Sequence, residues 1–232
     1  MHLAKIQYIS VYTLVLCATL FLIFPATTSA QTVNIPDANL REAIAEALGK
    51  APNTRITADE MARLTHLEAH DADISDLTGL ELATALQEIR CNNNLISDIS
   101  PLAGLSRLRI IELRSNTIRN LSPITNLIAL EWLIVTHNLI SDLSPIEGLI
   151  NLRGLAIEDN LISDLSPIAD LIKLDRIWMH ENPPVDLAPL AGLTNLRGIH
   201  SWGTPIISDL SPITKHTQHL SLIHISEPTR PY

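Results

Sequence analysis

Residues 130–151 read LEWLIVTHNLISDLSPIEGLIN, and this 22-residue unit decides the fold. In Leu130–Thr136 the apolar Leu133 and Val135 alternate with Trp132, Ile134 and Thr136. That is the period-two pattern of a short strand with one face in a core and one face outside it. Asn138 follows where the chain turns inward, and a side-chain amide there can bond backbone groups that would otherwise be buried unpaired. Ser144-Pro145 then opens the return segment. The Ser hydroxyl is expected to act as a cap with proline at the first helical position, and so short a segment suits a single 3₁₀ turn. Leu149 re-enters the core before the next copy begins.

The same unit recurs along the chain. Asparagines stand at Asn94, Asn116, Asn138, Asn160 and Asn182, and prolines at Pro101, Pro123, Pro145, Pro167 and Pro189, each series stepping by 22. Leu64, Leu86, Leu108, Leu130, Leu152, Leu174 and Leu196 open seven repeats. The end copies deviate, as array ends do. The first has Ala72 in place of asparagine, and the seventh has Thr204 there and one extra residue before Ser211-Pro212.

A different pattern precedes the repeats. Leu40, Ile44, Ala45 and Leu48 have helical spacing behind Pro36-Asp37, with Gly49 as the stop. Thr57-Ala58-Asp59-Glu60 has the form of a capping box for a second short helix. Residues 31–63 are therefore expected to form an N-terminal helical cap that covers the open edge of the first repeat. The repeats are expected to occupy 64–219.

Residues 1–30 have the order of a secretory signal peptide: Lys5, an apolar run from Ile9 to Phe24, then Pro25 and small residues ending at Ala30. The alternative is an uncleaved membrane anchor, since the run approaches the length of a bilayer span. Residues 220–232 break the repeat and resemble the translation of a sequencing-library adaptor. They are expected to be non-native, with the natural protein continuing differently.

The formal charge of −9 argues against nucleic acid, which is bound through clustered Lys and Arg. The two cysteines, Cys17 and Cys91, cannot build a disulfide framework in the exported chain, because the first lies in the leader. Cys91 falls on a core position.

The segments "IPDANLREAIAEALGK", "ITADEMARLTHLEA" and "NLISDLSPIEGLINLRGLAIED" together resemble the bacterial internalin-type leucine-rich-repeat family. The resemblance covers nearly everything from Val33 to Ile213. It implies an α/β repeat fold: a right-handed solenoid with a parallel sheet on its concave face and short 3₁₀ turns on the convex face. It also implies a secreted or cell-surface protein that binds protein or glycan through the concave face.

Function should lie in the outward strand positions that the fold leaves open to variation. Counted from each opening leucine, these are positions two, four and six. All three tryptophans, Trp132, Trp178 and Trp202, fall there. They flank Gly154 and Ala156, which with Ile134 should give a shallow apolar trough. Arg176, Glu158, His180 and His200 should form its polar rim. Clustered exposed aromatics mark contact sites.

The recurring Asp76, Asp98, Asp142, Asp164, Asp186 and Asp209, with Asn120 once, are expected to bond turn backbone. His137, Asp159 and Glu181 share position seven and could approach one another, but nothing supplies a further metal ligand or a supporting shell. No catalytic motif, cofactor site or metal site is expected. A membrane contact would come only from an uncleaved leader or a lost anchor. The reading is of an exported binding module, the alternative being the accessory repeat region of a larger secreted enzyme.

Overall fold

The computed structural model describes residues 31–202, residue 211 and the strand Leu222–Ser226. The leader and Asp209 lie outside these residues. The chain divides into Met1–Thr32 and Val33–Tyr232, and the described helices and strands all belong to the second unit.

Two helices come first, α1 (Ala38–Ala47) and α2 (Ala58–Met61). Asp37 caps α1, its Oδ1 accepting from the Asn39 and Leu40 amides at 3.0 Å. Its Oδ2 accepts from the Ser75 and Asp76 amides of the first repeat, at 2.9 and 3.2 Å. One carboxylate thus starts the helix and fastens it to the solenoid. Thr57 and Glu60 form the reciprocal capping box of α2, and Lys50 pairs with Glu60 at 2.5 Å. Among the described residues no helix is long and apolar enough to cross a membrane.

Seven strands come next at the repeat spacing: β1 (His66–Glu68), β2 (Glu88–Arg90), β3 (Ile110–Glu112), β4 (Trp132–Ile134), β5 (Gly154–Ala156), β6 (Arg176–Trp178) and β7 (Gly198–Trp202). Each pairs in parallel with the next, equivalent residues side by side. An eighth strand, β8 (Leu222–Ser226), continues the sheet beside β7. An open sheet edge accepts an extended segment through backbone bonds alone.

On the opposite side run short 3₁₀ turns such as Ser122–Ile124, Ser144–Ile146 and Ser166–Ile168. Between the layers, Leu133, Val135, Ile140, Ile146 and Leu149 are fully buried.

The turns are capped differently from the sequence expectation. No Ser hydroxyl caps them, because serine is itself the first residue of each turn. The aspartate two residues earlier takes that role. Asp98, Asp142 and Asp164 accept from the Ser100, Ser144 and Ser166 amides at 2.8 Å. Asn120 does the same for Ser122 and Asp186 for Ala188. The hydroxyls of Ser100, Ser144 and Ser166 donate back to the same carboxylates at 2.8 to 2.9 Å. These bonds hold Asp142 and Asp164 below the ordinary carboxylate range.

The asparagines are buried, 5 to 8% exposed. Asn138 Oδ1 accepts from the Ile118 amide at 2.9 Å. Its Nδ2 donates to the carbonyls of Leu113, Val135 and Thr136 at 2.9, 3.0 and 3.3 Å. Ile118 and Leu113 belong to the preceding repeat, so each amide joins two coils. Asn116, Asn160 and Asn182 repeat the pattern.

Position seven carries a constraint that periodicity does not reveal. Asp71, Asn93, Ser115, His137, Asp159 and Glu181 all have φ between 47° and 56°, the left-handed region that Asn and Asp tolerate best among side-chain-bearing residues. His137, Asp159 and Glu181 are turn residues first. His137 Nδ1 pairs with Asp159 Oδ2, and no group of three metal-binding side chains occurs among the described residues.

Replacing Asn138 with alanine leaves the Ile118 amide buried without its partner, while the Leu113 carbonyl keeps the Asn116 side-chain amide. At roughly 1–3 kcal/mol per stranded group, we expect about 2 kcal/mol of lost stability in urea unfolding. A loss below about 1 kcal/mol would show that the ladder contributes little.

Acid should act on the helical cap. The Lys50 hydrogen bond, followed by the Thr57 amide, holds the Glu60 carboxyl at about 2, below its ordinary 4.5. Burial alone would raise Asp37, but the Ser75, Leu40, Asp76 and Asn39 amides outweigh it and bring it below the usual range. Carboxylates depressed on folding stabilise the protein above their unfolded value and lose that contribution as pH falls through the folded one. The thermal midpoint should therefore fall as pH drops from about 4.5 toward 2. It should fall less steeply when Asp37→Asn and Glu60→Gln are combined, and equal slopes would rule the cap out as the acid-sensitive part.

Candidate functional site

The strand register lays the outward residues in rows. The first row runs Ile110, Trp132, Gly154, Arg176, Gly198, and the second Glu112, Ile134, Ala156, Trp178, His200. Neighbours in a row stand about 4.8 Å apart. The register brings the expected site residues together on one surface, from β4 to β7.

Over repeats one to three the surface is charged and internally paired. His66 lies 3.7 Å from Glu88, and His70 lies 3.2 Å from Glu68. Arg90 bridges Glu88 at 2.8 Å and Glu112 at 3.0 Å. From β4 onward the character changes: Trp132, Ile134 and Trp178 are half-buried, and Gly154 and Ala156 lie between them.

Gly154 is not an open floor. A Cβ built on it would meet Trp132 Cε3 at 2.1 Å and Cζ3 at 2.2 Å. The Trp132 indole therefore reaches across to the next strand and lies on the glycine. One row over, Ala156 is likewise buried, 7% exposed. Ile134 stands on one side of it and Trp178 on the other, and Trp178 stacks on His200 with centroids 5.2 Å apart and planes 7° apart.

The expected rim is also revised. Arg176 is exposed, and His180 and His200 are half-buried. Glu158, however, is only 8% exposed. It lies beside Thr136 of the previous repeat, whose hydroxyl donates to Glu158 Oε2 at 2.5 Å. Residues of adjacent coils hide it, so it is not part of an exposed rim. Trp202 ends β7, and its side chain lies outside the described part. Cys91 is buried, and burial pushes its thiol up to about 12, so it takes no part in reactive chemistry. A separate polar cleft between Arg153, Lys173, Asp175, Asn195 and Arg197 lies off these rows, at the strand starts.

Comparison with known proteins agrees with this architecture. A family model described as Leucine Rich repeats (2 copies) matches residues 84–126. Over 59 residues, 25% of this chain, the sequence is 34% identical to Internalin J of Listeria monocytogenes serotype 4b (strain F2365). That stretch is 6% of Internalin J. By structure the chain is similar to an internalin (inlF) from Listeria monocytogenes, with a TM-score of 0.68 and 26% identity, over 84% of this chain and 64% of that one. It is equally similar to an internalin C2 (inlC2) from the same organism, with a TM-score of 0.67 and 27% identity, over 85% of this chain and 98% of the other. The chain thus spans just under two thirds of the first of these structures and a small part of Internalin J.

The covering of Gly154 is open to direct measurement. In a chain retaining Trp132 as its one tryptophan, Gly154→Ala should push the indole off the sheet and shift its emission to the red. An unchanged spectrum would mean that Trp132 does not rest on Gly154 in solution.

Proposed function

We propose that this chain, an internalin-type leucine-rich-repeat protein, is an exported recognition module that engages a protein or glycan ligand across the concave face of repeats four to seven. The internalin-like fold supports a protein-binding repeat module in general. The observation that carries the more specific reading is the break in character along the sheet. Charged residues pair among themselves on β1 to β3, while β4 and β6 present the half-buried Trp132, Ile134 and Trp178.

Half-buried tryptophans on a rigid parallel sheet are suited to recognition. Their position is fixed by packing before a partner arrives, so little conformational freedom remains to be lost on binding. Tryptophan also dominates the few residues that carry most interface energy. The leader-like residues 1–30 support placement outside the cell, secreted or at the surface.

An immobilised chain screened against defined panels of surface proteins and glycans should identify a ligand, and Trp132→Ala or Trp178→Ala should weaken that ligand at least tenfold. An interface hot spot is worth about 2 kcal/mol or more, so a ligand that binds both variants unchanged would place the site elsewhere.

A further inference from the structure

One exposed row on the flank of the solenoid is not required by the repeat. Ile128, Ile150 and Ile172 stand at one repeat position, 22 residues apart, and are 61, 56 and 56% exposed. The same position holds Thr84, Ser106 and Thr194 in other copies, so a polar residue serves the fold equally well there. Single exposed apolar residues are ordinary on a protein surface. Three in consecutive coils, with a hydroxyl residue at either end of the row, are not scattered, and contiguous apolar patches mark contact surfaces.

The row borders a basic margin. Asn151 Nδ2 donates to the Ile128 carbonyl and Asn195 Nδ2 to the Ile172 carbonyl, both at 2.7 Å, which ties the isoleucine turns to the strand starts. Two clefts of about 310 and 350 Å³ open along those starts, and Arg153 and Lys173 line both. Arg109 and Glu131 belong to the first, Arg197 and Asp175 to the second. Cations outnumber acids there. Glu131 has Arg109 at 2.8 Å and Arg153 at 3.8 Å. Asp175 has Arg197 at 3.7 Å and also Arg176 at 3.9 Å. The Lys173 ammonium donates to Asn151 Oδ1 at 2.6 Å instead of pairing with an acid. On the other side of the row the turns carry Glu147 and Asp170. A chain of net charge −9 thus holds a positive margin beside an apolar row, with acids on the opposite border.

Spacing decides which kind of segment fits. Coils stand about 4.8 Å apart at the strands, and successive turns of an α-helix are about 5.4 Å apart. A helix with one apolar residue per turn therefore meets one isoleucine per coil. Same-face residues of an extended strand are about 6.6 Å apart and fall out of step by the third coil. We propose that this flank docks an amphipathic α-helix of a protein partner. Its apolar stripe lies on Ile128, Ile150 and Ile172, and its carboxylates face Arg109, Arg153, Lys173 and Arg197. This surface is separate from the concave face, and the inference does not rest on the function proposed there.

The probe is a stapled helical peptide with one leucine on each of three successive turns and glutamates along one side. An isomer of the same composition, with its leucines spread around the helix, carries the same charge. Both are labelled and titrated into the full chain by fluorescence anisotropy. The patterned peptide should bind about tenfold more tightly than the isomer. Combining Ile128→Thr, Ile150→Thr and Ile172→Thr should remove that preference, and combining Arg153→Gln with Lys173→Asn should weaken binding severalfold. Thr84, Gln87 and Asn151 already occupy the equivalent positions in other copies, so the fold accepts these residues. Equal binding of the two isomers, or binding of neither, overturns the proposal. Binding that falls with Arg153→Gln and Lys173→Asn but is unchanged by the threonine substitutions overturns it as well, and would identify the margin as a site for anionic groups alone.

Discussion

The solenoid depends on one interaction, the buried asparagine amide that closes each strand. A coil of 22 residues is too short to bury a core alone, and its inward turn leaves peptide groups facing the interior. A single amide satisfies a donor in the preceding repeat through its oxygen, and acceptors in both repeats through its nitrogen. Hydrogen-bond satisfaction and repeat-to-repeat cohesion are thus the same contact, and stability propagates by nearest-neighbour coupling. Because the amide ladder and the leucine core carry the structure, the outward strand positions carry almost none of it.

That division explains which parts were legible in the sequence. The period, the strands, the core leucines, the helical cap and the capping box at Thr57 follow from residue type and spacing, because each is a local preference repeated in register. The role of serine before proline was not legible, since both Ser144 and Asp142 can cap a turn and only the backbone conformation decides between them. Position seven was ambiguous for a similar reason. His137, Asp159 and Glu181 look like a ligand column, whereas their equivalents Asp71, Asn93 and Ser115 carry the signature of a left-handed turn. Reading all the copies at that position together would have pointed to the turn.

The site was legible as a surface and not as a shape. Periodicity put Trp132, Ile134, Ala156 and Trp178 on one face. It could not tell that Trp132 would lie across a neighbouring strand, or that Glu158 would be enclosed by Thr136. Both are cross-strand packing events between residues 22 positions apart, and they depend on the sizes of particular neighbours. The Trp132 indole lies on Gly154 because a glycine on the adjacent strand leaves the space; a Cβ there would occupy it.

On such a sheet, backbone geometry cannot distinguish one repeat from another, since every row has the same spacing. A site arises only where side-chain volume departs from its neighbours. Repeat five supplies that departure twice: Gly154 admits the indole of Trp132, and Ala156 lies buried between Ile134 and Trp178. Charge follows a different rule on this fold. Arg109 and Glu131 pair along the strand-start margin at 2.8 Å, and Arg197 approaches Asp175 at 3.7 Å. The arginines of these pairs are exposed and the acids half-buried, and such solvent-screened pairs each contribute little. On the concave face Arg90 answers Glu88 and Glu112, while Glu158 is enclosed beside Thr136. What distinguishes repeats four to six on that face is side-chain volume and aromatic character rather than charge.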